Sequence, residues 1–269
     1  MKSHSSPLPR REKAIISWLG ITQMQYRNPL LMLWWSAAFP GFGHILLNQY
    51  WRGTLFTLFE VVLNSLANIN GAMVHSFGGK AELAKQLLNP HWIYGYLIFY
   101  LYTIWDTYKK TREFNMHNEL AVLENTRIKS FLLSSGEINI LERRNPAAAA
   151  FWSFMLPGLG QLYNNRVMLG IYALLWWFFY CRFSHVFTAC YALFEQGIVQ
   201  STRLLSAHWL LFMPSVLWGA VYHSYLMAVE HNSLFKYEQK QFLKERYAGS
   251  EIFALEENRG DEIAGSGIV

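Results

Sequence analysis

The chain has 269 residues, of which 52% are apolar, 17% aromatic and only 15% charged, with a formal net charge of +5. The apolar content excludes an intrinsically disordered chain, and two cysteines exclude a disulfide scaffold of this length. A charged share this far below that of an ordinary soluble domain, with a mean hydropathy of only +0.10, leaves the class to be decided by where the apolar residues lie.

Residues 1–28 are polar and basic, with Lys2, Arg10, Arg11, Lys13 and Arg27, and no apolar run follows closely enough to read as a secretory signal. Ala14, Ile15, Trp18 and Ile21 recur at roughly helical spacing among these basic residues. The spacing suits a helix lying in a membrane interface or a solvated linker helix. The first apolar block, Pro29 to Leu47, is interrupted by Pro40-Gly41-Phe42-Gly43. The second, Thr54 to Val74, has 21 residues and one charge, Glu60; the third, His91 to Tyr108, has 18 residues and one charge, Asp106. A charged segment follows from Lys109 to Asn145, where Ile128, Phe131, Leu132 and Ile138 predict a second interfacial helix. Then come Pro146 to Tyr163, broken at Pro157-Gly158-Leu159-Gly160, Met168 to about Ala192, and His208 to Val229, before a polar tail from Glu230.

A helix crossing a hydrocarbon core of about 30 Å needs about 20 residues. The second, third, fifth and sixth blocks reach that length. The run Leu174 to Tyr180 (LLWWFFY) is apolar all round, unlike the single stripe of a soluble helix. The sequence therefore predicts an all-α integral membrane protein with four transmembrane helices and two short Pro-Gly-broken hairpins, re-entrant or interfacial.

Laid over itself with a shift of 117 residues, the chain matches rare residues in one register. Arg27-Asn28-Pro29 falls on Arg144-Asn145-Pro146, Trp35-Ser36 on Trp152-Ser153, Pro40-Gly41 and Gly43 on Pro157-Gly158 and Gly160. Asn48 and Gly53 fall on Asn165 and Gly170, His91-Trp92 on His208-Trp209, and Glu113 and Asn115 on Glu230 and Asn232. This reads as two copies of one unit, 27–120 and 144–237. A basic segment, 1–26, precedes them, a linker, 121–143, joins them, and a tail, 238–269, follows. Lysine and arginine collect on the cytoplasmic side. With two crossings per unit, nineteen of the 23 fall inside, Lys80, Lys85 and Arg203 fall outside, and Arg182 lies within a span. With three crossings the split is thirteen to nine, so parallel units with both termini cytoplasmic are favoured.

The segment Pro157-Gly158-Leu159-Gly160-Gln161-Leu162-Tyr163-Asn164, with Gly170 behind it and Asn145-Pro146 ahead, resembles small bacterial membrane proteins of the TM2-domain group. The resemblance covers about 26 residues per copy. It implies a membrane helical hairpin in a bacterial cytoplasmic membrane, and no activity. The first copy departs from it, with His44 at the Gln161 position and Leu46 at the Tyr163 position. On physical grounds Pro40, Gly41, Gly43, Pro157, Gly158 and Gly160 break the helix and let backbones approach. Gln161, Tyr163 and Asn164 can bond the freed carbonyls. The bland reading is a structural turn; the sharper one is a ligand site of exposed amides.

Ionisable groups at membrane depth are functional candidates. Thr57, Glu60, Asn64 and Asn68 share one helical face, and Arg182 is predicted to reach Glu60 as an internal pair, a solute path or a snorkelling cation. Asp106 and His223 hold equivalent positions and could meet across a pseudo-twofold axis, or be ordinary interfacial residues. His91 and His208 make a weak metal site without cysteine or carboxylate support. Cys181 and Cys190, nine residues apart, point to opposite faces. No phosphate loop, nucleophile elbow, zinc-protease or Cys-x-x-Cys motif is present, so no cofactor is expected. The basic excess suits anionic headgroups rather than nucleic acid. The expected partners are the bilayer and another membrane protein or a second copy. The function expected first is a non-enzymatic assembly subunit; the alternative is a small solute or ion transporter with a site between the repeats.

Overall fold

The computed structural model describes residues 11–17, 20–124, 128, 131–133 and 138–247. It begins with a hairpin. Strand β1 (Ala14–Ser17) pairs antiparallel with β2 (Gly20–Gln23), Ala14 opposite Gln23 and Ser17 opposite Gly20. Over the described residues strands therefore stand where the interfacial helix is predicted; Trp18 lies outside the described residues. Ile15, Ile16, Ile21 and Thr22 are β-branched and fit a pleated surface. Gly20 takes φ +121°, which no helix tolerates. Ile21 and Gln23 are buried while Thr22 is exposed, the alternation of a strand.

Helix α1 (Pro29–Ala38) starts where the Asn28 side chain accepts from Leu30 N and Leu31 N, with proline at the first position. It ends at Phe39, which is extended (φ −154°, ψ 103°) as the residue before Pro40 must be. Gly41 (φ +95°) turns the corner into α2 (Phe42–Leu46). A Cβ at Gly41 would stand 2.8 Å from Thr57 Oγ1 and 2.9 Å from Thr57 N, so only glycine fits. Asn48 (φ +60°) then leads into α3 (Tyr50–Ala67). A second left-handed residue, Asn68 (φ +53°), ends α3, and the short helices α4 (Ile69–Phe77) and α5 (Ala81–Leu87) follow. Helix α6 (Pro90–Glu124) has 35 residues, a length of about 52 Å at 1.5 Å per residue.

The second half repeats these bounds. Strands β3 (Phe131–Leu133) and β4 (Ile138–Ile140) form another antiparallel hairpin, so the second interfacial helix is replaced as well. Then come α7 (Pro146–Met155), α8 (Leu159–Tyr163), α9 (Val167–Ser184), α10 (Val186–Glu195), α11 (Ile198–Leu204), α12 (Ala207–Leu210) and α13 (Met213–Tyr247). Helices α7 to α11 each start 117 residues after α1 to α5: 146 against 29, 159 against 42, 167 against 50, 186 against 69, 198 against 81. The left-handed residues recur at the same interval, Gly158, Asn165 and His185 answering Gly41, Asn48 and Asn68.

The chain is mostly helical, and Val167–Ser184 and Ala207–Tyr247 are long and apolar enough to cross a membrane. The blocks Thr54 to Val74 and Met168 to Ala192 are not single helices, because Asn68 and His185 divide them. Each long final helix packs along the first helix of its own half, α6 on α1 and α13 on α7. The halves meet through a cluster of Phe39, Val61, Tyr180, Cys181, Phe212 and Met213. Ile21, Ile128, Leu141 and Leu234 form a separate core under the first hairpin. Many other buried positions are polar: Ser36, Thr57, Thr103, Thr107, Ser153 and Ser224 among them. Large apolar side chains such as Phe59, Val62, Ile98, Leu101, Leu175 and Phe178 are exposed. That distribution inverts the one expected of a soluble domain.

Candidate functional site

Each Pro-Gly turn delivers one polar side chain to the long helix behind it. In the first half this is His44, fully buried on α2. Its Nε2 lies 2.8 Å from Asp106 Oδ2, and its Nδ1 lies 3.2 Å from Thr107 Oγ1. Arg52 closes the network from α3, with Nε 2.9 Å from Asp106 Oδ2 and NH2 donating to Oδ1 at 3.1 Å. Ser36 Oγ meets Thr107 Oγ1 at 2.7 Å. A hydroxyl, an imidazole and a carboxylate in line could relay a proton. Here Thr107 and His44 are both at 0% exposure, so no substrate carbonyl can reach the hydroxyl. The arrangement acts as a clamp.

In the second half Gln161 holds the same place on α8. Ser153 Oγ donates to its Oε1 at 3.1 Å, and its Nε2 donates to Ala220 O at 3.0 Å and lies 3.4 Å from His223 Nδ1. Asn164 Nδ2 donates to Ser224 O at 2.8 Å. Tyr163 OH accepts from Asn145 N at 3.3 Å, beneath the Arg144 guanidinium. Pro40, Gly41, Gly43, Pro157, Gly158 and Gly160 thus serve the turns. The amide-bearing residues of the motif bind the protein itself.

Asp106 and His223 do not meet. Each is engaged within its own half, because the α2 and α8 side chains reach α6 and α13 first. Nor does Glu60 meet Arg182. Glu60 Oε1 accepts from Asn64 Nδ2 at 3.0 Å and from Tyr96 OH at 3.2 Å. Arg182 is exposed on α9, as is Phe183 beside it. Asn68 leaves the predicted stripe because it ends the helix, and its Nδ2 donates to Leu87 O at 3.4 Å. Asn70 replaces it, donating from N to Asn64 Oδ1 at 3.1 Å and from Nδ2 to His208 O at 3.2 Å. His208 Nε2 meets Ser65 Oγ at 3.1 Å, while His91 is exposed. Both cysteines are free, Cys181 buried and Cys190 exposed.

A buried ion pair that the sequence does not predict joins the halves. Arg27, just before α1, contacts Glu230 on α13 through NH1 and Oε1, with both side chains almost wholly buried. Arg27 N also donates to Asn115 Oδ1 at 2.9 Å, and Asn115 Nδ2 returns to Arg27 O at 2.8 Å. Arg144 and Asn232 repeat that exchange at 2.7 Å each way. Arg27, Arg144, Asn115, Asn232 and Glu230 all belong to the self-match, so the signal was present as paired rare residues. No family model matches the chain, and no curated protein or solved structure matches it.

Proposed function

We propose that the chain is a multi-pass protein of a bacterial cytoplasmic membrane, made of two copies of one hairpin unit that point the same way. Helices α3, α6, α9 and α13 are the four crossings, and both termini lie in the cytoplasm. The 117-residue interval between matching elements supports the duplication. The reciprocal Arg–Asn bonds at both copies' starts support it too. Helices α1 and α7, ten residues each, rise about 15 Å and return through α2 and α8, half the hydrocarbon thickness. Their broken backbone is covered by α6 and α13, the condition for non-helical chain at membrane depth. The TM2-like motif fits this hairpin.

Within the membrane we assign a non-enzymatic role, as an assembly subunit of a larger membrane complex. One observation carries it: most inward polar groups pair within their own half, while the outward faces are apolar. Glu60, Asn64, Asn70, His44, Asp106, Gln161 and Asn164 each bond a neighbour on the same or an adjacent helix. A solute path between the repeats draws less support, since Arg182 lies outside it and the cavity there is small. The test is the mass of the full chain extracted from its native membrane in mild detergent. A stoichiometric second membrane protein, or a second copy, is expected. A particle of 31.4 kDa protein alone would contradict the reading.

A further inference from the structure

The start of the first half seats itself on the last helix of the second. Arg27 pairs with Glu230, and the Trp35 ring stands 4.8 Å from that of Tyr222. The 117-residue interval gives each of these a counterpart: Arg144 for Arg27, Trp152 for Trp35, Glu113 for Glu230 and Trp105 for Tyr222. Under exact twofold symmetry the counterparts would meet as well. They stay open instead. Trp152 is 44% exposed where Trp35 is 8%, and Trp105 is 55% exposed. The Glu113 side chain is 40% exposed where that of Glu230 is 2%. Glu113 takes Lys110 from its own helix, a surface pair worth little, and Arg144 lies 4.0 Å from Glu142.

The two halves present these residues alike. The reciprocal bonds of Arg27 with Asn115, and of Arg144 with Asn232, fix each arginine at the same place against the long helix of its own half. On α6, Trp105, Lys109 and Glu113 follow one another a turn apart, so they share one face. That face borders an open groove of about 790 Å³, lined also by Tyr26 and Pro29. The matching face of α13 is where Arg27 and Trp35 sit. Arg144 and Trp152 on one side, and Glu113 and Trp105 on the other, are thus the unmade half of a contact that the chain makes once within itself. Their charges are opposite, and their rings are both free to pair. Contact between two unlike faces passes from molecule to molecule.

We propose that a second copy of this chain docks here, head to tail: the second half of one copy lies on the α6 face of the next, with Arg144 against Glu113 and Trp152 against Trp105. The inference rests on the assembly reading above and names the partner. Copies joined this way lie side by side in one membrane and point the same way, as the two halves do. The contact is heterologous, since the face of the second half never meets its own like, and it closes into a ring or extends as a row.

The test coexpresses full chains under two different tags and extracts them in mild detergent. Wild-type chains should co-purify through either tag. Glu113→Arg chains under both tags should co-purify at least about tenfold less, because like charges then face each other, and so should Arg144→Glu chains. Glu113→Arg under one tag with Arg144→Glu under the other should recover the association, since every contact between unlike chains again joins opposite charges. Wild-type tags that do not co-purify, either variant associating as the wild type does, or no recovery in the mixture of two folded variants would overturn the proposal. If Arg144→Glu does not fold, Glu113→Arg decides alone, since its site is at the surface: association lost at an unchanged unfolding midpoint supports the contact, and association kept overturns it. The extracted mass separates the two readings. One copy bound to a different membrane protein loses this inference and keeps the assembly role; one copy alone loses both.

Discussion

Gly160→Val is expected to leave little folded protein. Gly160 sits on α8 where it passes between α7 and α13. A Cβ there would overlap Ala149 O and Ser153 Oγ and stand 2.8 Å from Ser224 Cβ. The first obstacle is backbone and cannot rotate away. Overpacking costs about 1–3 kcal/mol where side chains can adjust, and the upper end or beyond is expected here. The substitution also drives α8 off α13, which strands Gln161 and Asn164 from Ala220 O and Ser224 O. Gly43 holds the matching place, where a Cβ would meet Thr107 Cγ2 at 2.6 Å, and Gly43→Val should behave alike. Gly95→Ala is the control. Nothing lies within 4 Å of a Cβ at that position, and alanine in a helix should raise stability by about 0.5–1 kcal/mol. Thermal unfolding of the detergent-solubilised variants reads all three. A Gly160→Val midpoint close to wild type would contradict the close approach of α8 and α13.

Breaking the Arg27–Glu230 pair on one side should cost about 3–5 kcal/mol, because it leaves a buried charge without its partner. Arg27→Met strands the Glu230 carboxylate, whose Oε2 already lacks a partner, and Glu230→Leu strands the guanidinium. Arg27→Met combined with Glu230→Leu should recover most of the loss, since two apolar side chains of similar volume need no counter-charge. A double-mutant cycle in the same unfolding assay measures the coupling. Simple additivity of the two losses would show that the pair does not bridge the halves. The contact spans 203 residues of sequence, so its loss should also loosen one half from the other.

The long helices of the second half were legible because their apolar residues are contiguous, as in Leu174 to Tyr180. Their first-half counterparts carry more inward polar groups, Thr57, Glu60 and Asn64 on α3 alone. The 117-residue interval was legible from paired rare residues, and the Pro-Gly corners from the backbone needs of proline and glycine. The two hairpins were misread as helices because Ala14, Ile15 and Ile21 fit a loose 3.6-residue period, while the positive φ of Gly20 and the run of β-branched residues decided for strands. The Glu60–Arg182 and Asp106–His223 pairings failed for a different reason. Sequence places residues along a helix but does not fix which face meets which neighbour. Once His44 and Gln161 are delivered by their turns, they satisfy α6 and α13 locally. Asn68 was read as one more rung of a helical face, whereas asparagine tolerates the left-handed conformation and here ends the helix.

The proposed parallel arrangement of two membrane-embedded copies is tested most directly by the side on which residues 121–143 lie. Epitopes inserted at 125–127 and ahead of residue 11 should both be hidden from impermeant antibody in intact cells and revealed on permeabilisation. An epitope between Gly78 and Gly79 should be accessible throughout. Surface labelling of the 125–127 epitope on intact cells, with the amino-terminal one hidden, would mean that the copies point in opposite directions.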